Sequence, residues 1–103
     1  MNIIQISTDA ETDLAEGYWF YERQSPGLGG YFRSCLISDI ESLVYYGGIH
    51  ELSFGFHRML SARFPFCIYY QKSDELLTVI AVIDARRDPL WIRRRFEFTE
   101  EAE

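Results

Sequence analysis

Scarcity marks this chain before abundance does. Of its ten basic residues only Lys72 is a lysine, and there are two histidines, two cysteines and three prolines in 103 residues. Cys35 and Cys67 stand alone, with no Cys-x-x-Cys pair and only His50 and His57 as further nitrogen donors. That excludes the ligand spacing of a zinc site, so no metal is expected. No Gly-rich phosphate loop with an anchoring lysine is present either, so no cofactor is expected. Both cysteines sit among apolar neighbours, which predicts buried free thiols rather than a disulfide. No apolar run approaches the roughly 20 residues that cross a bilayer, which speaks against a membrane partner. Met1–Gln5 lacks the basic region and apolar core of a signal peptide, so the expected location is cytoplasmic.

What the chain does have is apolar and aromatic residues. At 48% hydrophobic and 17% aromatic it carries far too much core material for a disordered chain. Its length fits one domain, read here as residues 1–96 followed by an acidic tail at 97–103. The net charge of −6 is unevenly spread. Residues 1–57 carry −6, residues 58–95 carry +4, and the last eight residues carry −4. A repulsive long-range field makes direct nucleic-acid binding an unfavourable expectation. The arginine-rich middle instead suits planar, two-pronged recognition of carboxylates.

Leu76-Leu77-Thr78-Val79-Ile80-Ala81-Val82-Ile83 organises the rest. Its β-branched content and length predict a strand. Strict alternation divides it into Leu76, Thr78, Ile80 and Val82 on one face and Leu77, Val79, Ala81 and Ile83 on the other. Both sets are apolar, so both faces need covers. Helices of the same chain supply one, and either the C-terminal residues or a separate protein supplies the other.

Ile3–Ile6 predicts a first strand. Thr8-Asp9-Ala10-Glu11 has the form of a capping box opening a helix with Ala10, Leu14, Tyr18 and Tyr21 on its apolar stripe. Ser25-Pro26-Gly27-Leu28-Gly29-Gly30 is turn chemistry. A second helix carries Phe32, Leu36, Ile40 and Leu43 and stops at Gly47-Gly48. Strands follow over residues 56–64, 66–72 and 76–83, the last two joined as a hairpin by Ser73-Asp74-Glu75. The predicted fold is α+β and two-layered, in the order β-α-α-β-β-β, a helical hairpin on a mostly antiparallel sheet.

Three stretches carry a resemblance. Asp9–Leu14 with Tyr18–Gly29, then Arg63-Phe64-Pro65-Phe66-Cys67-Ile68-Tyr69-Tyr70, then Val79–Pro89 resemble, in order, the helical hairpin, the FP corner between strands, and the last strand with its basic exit in RelE/ParE-type toxins of bacterial type II toxin–antitoxin modules. The likeness covers about residues 3–91 and is closer to the ParE branch. It implies a toxin that acts by binding protein, with DNA gyrase as the cellular target and a small antitoxin as the neutralising partner. The RelE branch implies the alternative, a ribosome-dependent mRNA endonuclease. A third alternative is a non-toxic member that only binds a partner, since family toxins are usually basic and this chain is acidic.

Cleavage of RNA needs cations for the pentavalent oxyanion and proton carriers beside it. Arg58, Arg63 and Arg86, with His57 as the proton carrier, are the candidates for that chemistry. Leu90-Trp91-Ile92 offers neither the Tyr nor the His that RNA-cleaving relatives tend to carry there. For a binding role the candidates are Trp19, Phe20, Arg58, Arg63, Arg86, Arg87 and Trp91. Tyr18-Trp19-Phe20-Tyr21 go round a full helical turn and cannot all be core, so Trp19 or Phe20 is expected on a partner-facing surface. Arg93-Arg94-Arg95 reads as a solvated face or as partners for the tail glutamates. With its last strand uncovered, the chain alone is expected to self-associate, as a homodimer or an aggregate.

Overall fold

The computed structural model describes the backbone of residues 1–101 and the side chains of residues 1–97. Ala102 and Glu103, the end of the expected acidic tail, lie outside the described residues. The elements run β1 (Ile3–Ile6), α1 (Thr8–Glu22), α2 (Leu28–Tyr46), β2 (Leu52–Ser53), β3 (Phe56–Leu60), β4 (Phe66–Ser73), β5 (Leu76–Asp84) and α3 (Pro89–Glu101). The sheet order is β1-β5-β4-β3-β2, with β1 parallel to β5 and every other pair antiparallel. This is the α+β helical-hairpin-on-sheet fold, with the short strand β2 and the helix α3 in addition.

The hairpin of α1 and α2 covers one sheet face. Leu14, Phe32, Leu36, Ile40 and Leu43 are buried against Ile68, Tyr70, Leu77, Val79 and Val82. Gly17 lets the two helices close: a Cβ there would stand 2.5 Å from the Phe32 ring. The Glu22 carboxylate locks the turn, accepting the N–H groups of Gly27 at 3.1 Å and Gly29 at 2.9 Å. Gly27, the N-cap of α2, has no side chain of its own to offer, so Glu22 supplies the missing anion at the positive helix end.

Two expectations are corrected by local chemistry. The cap of α1 is Ser7 rather than Thr8: its Oγ accepts the Ala10 N–H at 3.1 Å. The face division of β5 is also not strict. Tyr69 pairs with Ala81 but Tyr70 pairs with Val79, so Ile80 is the extra residue of a β-bulge. The bulge reverses the alternation of faces in the second half of the strand. Leu77, Val79 and Val82 meet the helical hairpin, while Ile80, Ala81 and Ile83 face the other side.

That other side is covered by the chain itself. Ile92 and Phe96 of α3 pack on Cys67, Tyr69, Ile80, Ala81 and Ile83. Phe96 also stacks near Phe54, Phe56 and Tyr69. No separate protein is needed to bury the second face of β5, and the expectation of an uncovered sheet is replaced by a third, partial layer. Asp88 starts the layer, accepting the Leu90 N–H at 2.9 Å, with Pro89 at the first helical position. The helix runs to Glu101, into the stretch that the sequence reads as a tail.

Candidate functional site

β1 pairs with Leu76–Val79, so among the described residues the second half of β5 has no neighbouring strand on that side. Side chains of the α1 region serve its backbone instead. Ser7 Oγ donates to the Ile80 carbonyl at 3.1 Å, and the Asp13 carboxylate accepts the Val82 N–H at 2.9 Å. Asp13 also receives a two-pronged contact from Arg95, Nη1 to Oδ1 at 2.9 Å and Nη2 to Oδ2 at 2.7 Å. One carboxylate therefore ties α1, β5 and α3 together. Burial pushes the Asp13 carboxyl above its usual range, and the contacts from Arg95 and Val82 pull it part of the way back.

Beside this tie lies a cleft of about 440 Å³ between α1, the free side of β5 and the start of α3. Phe20 and Trp91 form apolar walls, Val82 and Ile83 the strand side, and Arg23 and Arg87 contribute positive charge. The Arg87 guanidinium sits 4.2 Å from the centre of the Trp91 ring, a cation–π contact that holds both side chains. Phe20 is half exposed, and Trp91 and Leu90 remain open to solvent.

The predicted binding residues divide accordingly. Phe20, Arg87 and Trp91 meet at the cleft. Trp19 is exposed on α1 with its ring edge against Tyr18, away from the cleft lining. Arg86 is held by Asp84 through Nε–Oδ1 at 3.0 Å and Nη2–Oδ2 at 2.8 Å. That contact holds the Asp84 carboxyl below the usual carboxylate range. Arg63 lies in a separate small hollow with Tyr31, Cys35 and Asp39. Arg58 stands opposite Tyr69 on the α3 side of the sheet, against the Cys67 thiol.

The four residues considered for RNA cleavage are not brought together. His57 stacks on Tyr70, which belongs to the hairpin-side core, while its strand neighbour Arg58 is on the opposite sheet face. His57 Nδ1 lies 2.6 Å from the His50 carbonyl and must donate, since a carbonyl only accepts. His50 Nδ1 in turn lies 2.6 Å from the Tyr70 hydroxyl, which also receives the Gly48 N–H at 2.9 Å. Both imidazoles are thus engaged in joining the end of α2 to the sheet. Burial holds His50 below its ordinary value, and the charge of His57 lowers it further.

Asp13, Glu16, Arg23 and Arg95 line the cleft without having been singled out as candidates. The signal for Asp13 was legible, because an acid beside Leu14 on the apolar stripe of α1 has to be buried and paired. Arg95 belonged to a run read as a solvated face or as partners for the tail glutamates, and it holds Asp13. Cys67 is buried and free, and Cys35 is free and half exposed. Among the described residues no cluster of three or more His, Cys, Asp or Glu side chains is placed to hold a metal ion. Among them, too, no helix is long and apolar enough to cross a membrane.

These features define a small α+β domain with a cleft of mixed apolar and charged lining beside β5. No protein-family model matches the chain, and no curated protein matches its sequence. Among solved structures, a chain from the chromosomal ParDE TA system of P. aeruginosa superposes with a TM-score of 0.71. Identity is 16%, over 82% of this chain and 96% of the other. The fold implied by the three sequence stretches is therefore the fold the chain has, a ParE-type fold.

Proposed function

We propose that this chain is the toxin of a type II toxin–antitoxin pair, that it acts by gripping other polypeptides, and that a small antitoxin neutralises it. The observation that carries the reading is the convergence of Phe20, Trp91, Arg23 and Arg87 on one cleft of a ParE-type fold. Aromatic and arginine side chains are the residues that dominate protein interfaces. The candidates for bond chemistry, in contrast, diverge to different faces. By its likeness to the ParE branch, the cellular target in this reading is DNA gyrase.

Inducible expression scored by growth tests the proposal. The chain expressed alone should arrest growth, and co-expression of the small protein encoded beside it should restore growth. A supercoiling assay with purified gyrase should lose activity on addition of the chain, while ribosome-bound mRNA should stay intact. Cleaved mRNA with normal supercoiling would assign the toxicity to a ribonuclease instead.

A further inference from the structure

Away from the cleft, the two histidines form a cluster that the proposed function does not use. The Tyr70 hydroxyl accepts the Gly48 N–H at 2.9 Å and lies 2.6 Å from His50 Nδ1. Tyr70 is fully buried, and among the described residues Nδ1 is the acceptor its proton has, so His50 is neutral. His57 closes the cluster from β3, with its ring stacked on Tyr70 and its Nδ1–H donated to the His50 carbonyl. A charged His50 breaks this arrangement. Its Nδ1 can then only donate, and the Tyr70 proton loses its acceptor where no bulk water reaches. Charge on His57 opposes the protonated form further. Lys72 of β4, passing alongside Gly48, adds the same sign, while Glu51, next in the chain, is exposed and its counter-charge is screened.

What the cluster holds is the base of the β2–β3 hairpin. Leu52 pairs with His57 and Ser53 with Phe56, and a hairpin that short is marginal on its own. Its turn is strained: Phe54 and Gly55 have φ of 57° and 85°, a region a bulky side chain seldom adopts. Phe56 lies one residue outside the β3–β4 register, which begins at His57 and Tyr70. Phe54 and Phe56 nevertheless both reach Phe96 of α3, with ring centres 5.7 and 5.0 Å away. The histidines thus fix the hairpin at its base, and α3 fixes it at its tip.

We propose that His50, His57 and Tyr70 form an acid-sensitive latch on α3. Protonation of His50 frees the β2–β3 hairpin, withdraws Phe54 and Phe56 from Phe96, and loosens α3 over Cys67, Tyr69 and Ile83. Ile92 and the Arg95–Asp13 contact remain, so the opening is local. The latch shares no residue with the cleft lining and does not depend on the toxin–antitoxin reading.

The test is amide hydrogen exchange read by mass spectrometry at about pH 7.5 and about pH 5.5, corrected for the intrinsic exchange rate. In the wild type, residues 49–56 and 92–97 should lose about tenfold in protection at the lower pH, while β4 and β5 keep theirs. His50→Gln should abolish that response, because an amide oxygen accepts the Tyr70 proton at either pH. Tyr70→Phe, which removes the hydroxyl outright, should open both segments already at the higher pH.

Equal protection of the two segments at both pH values would overturn the proposal. So would an equal response in His50→Gln, or a loss of protection spread evenly over the whole chain. Wild-type protection of residues 92–97 in Tyr70→Phe at the higher pH would overturn it independently of the histidine variant.

Discussion

Arg95 and Asp13, 82 residues apart in the chain, meet in a two-pronged contact of 2.9 and 2.7 Å. The pair fastens α3 to α1 and, through the Val82 N–H, to the open side of β5. Its side chains are only 20% and 9% exposed, so the pair is buried enough for its loss to be costly. Arg95→Met leaves Asp13 without its cation, and a destabilisation of about 3 kcal/mol is expected, as for one broken half of a buried pair. Asp13→Asn with Arg95→Met, which removes the unpaired charge and keeps an acceptor for the Val82 N–H, should cost less than Arg95→Met alone. Urea unfolding of the two variants measures both.

Glu22 caps a helix to which it does not belong. Glu22→Ala strips the N–H groups of Gly27 and Gly29 of their acceptor. A loss of about 1–2 kcal/mol is expected, the range for a helix cap with ionic character. Glu22→Gln should recover part of it. Equal stability of all three proteins by urea unfolding would show that the turn holds without the carboxylate.

Gly17 faces the Phe32 ring, with no room for a methyl group. Gly17→Ala would ordinarily favour a helix, but here overpacking should win, at about 1–3 kcal/mol destabilising. A combined Gly17→Ala/Phe32→Leu variant should be more stable than Gly17→Ala alone. Thermal unfolding decides the sign.

His50 makes stability depend on acidity. Its proton affinity is lower folded than unfolded, so the unfolded chain takes up more protons as pH falls below the ordinary value of about 6.5. The contribution is fully present above that value and is lost as pH falls through the folded-state pKa. Urea midpoints should therefore decline between about pH 7.5 and pH 5.5. His50→Gln should flatten that decline, and an equal decline in the variant would place its origin elsewhere.

Much of the fold was legible because periodicity reports burial directly. The stripes Leu14–Tyr21 and Phe32–Leu43 identified the helical hairpin, and uninterrupted apolar content marked β5 as covered twice. The bulge at Ile80 was not legible, since no residue type announces it in a run of β-branched neighbours. Its carbonyl is served by Ser7 and the nearby Val82 N–H by Asp13, contacts fixed only by tertiary packing. The helix α3 was masked by its charge. Three consecutive arginines and several glutamates outweigh Ile92 and Phe96, which pack on the sheet.

For the cleft, the residue types were legible and their grouping was not. Phe20, Arg87 and Trp91 were chosen as surface aromatics and arginines, and they do converge. Arg58 and Arg63 were chosen on the same grounds and go elsewhere, and Arg86 is taken by Asp84 beside the cleft. Which arginine is free to meet a partner depends on the acids that folding brings to it. Asp84 two residues from Arg86 was a visible clue, and Asp13 across the chain from Arg95 was not.

The central claim is that this end of the molecule grips another polypeptide. Calorimetric titration with the purified protein encoded beside it tests that directly, using the wild type and an Arg87→Gln/Trp91→Ser variant of matched thermal stability. A saturable complex weakened at least about tenfold by the variant is the expected result. No complex, or one of the same affinity for both proteins, would contradict it.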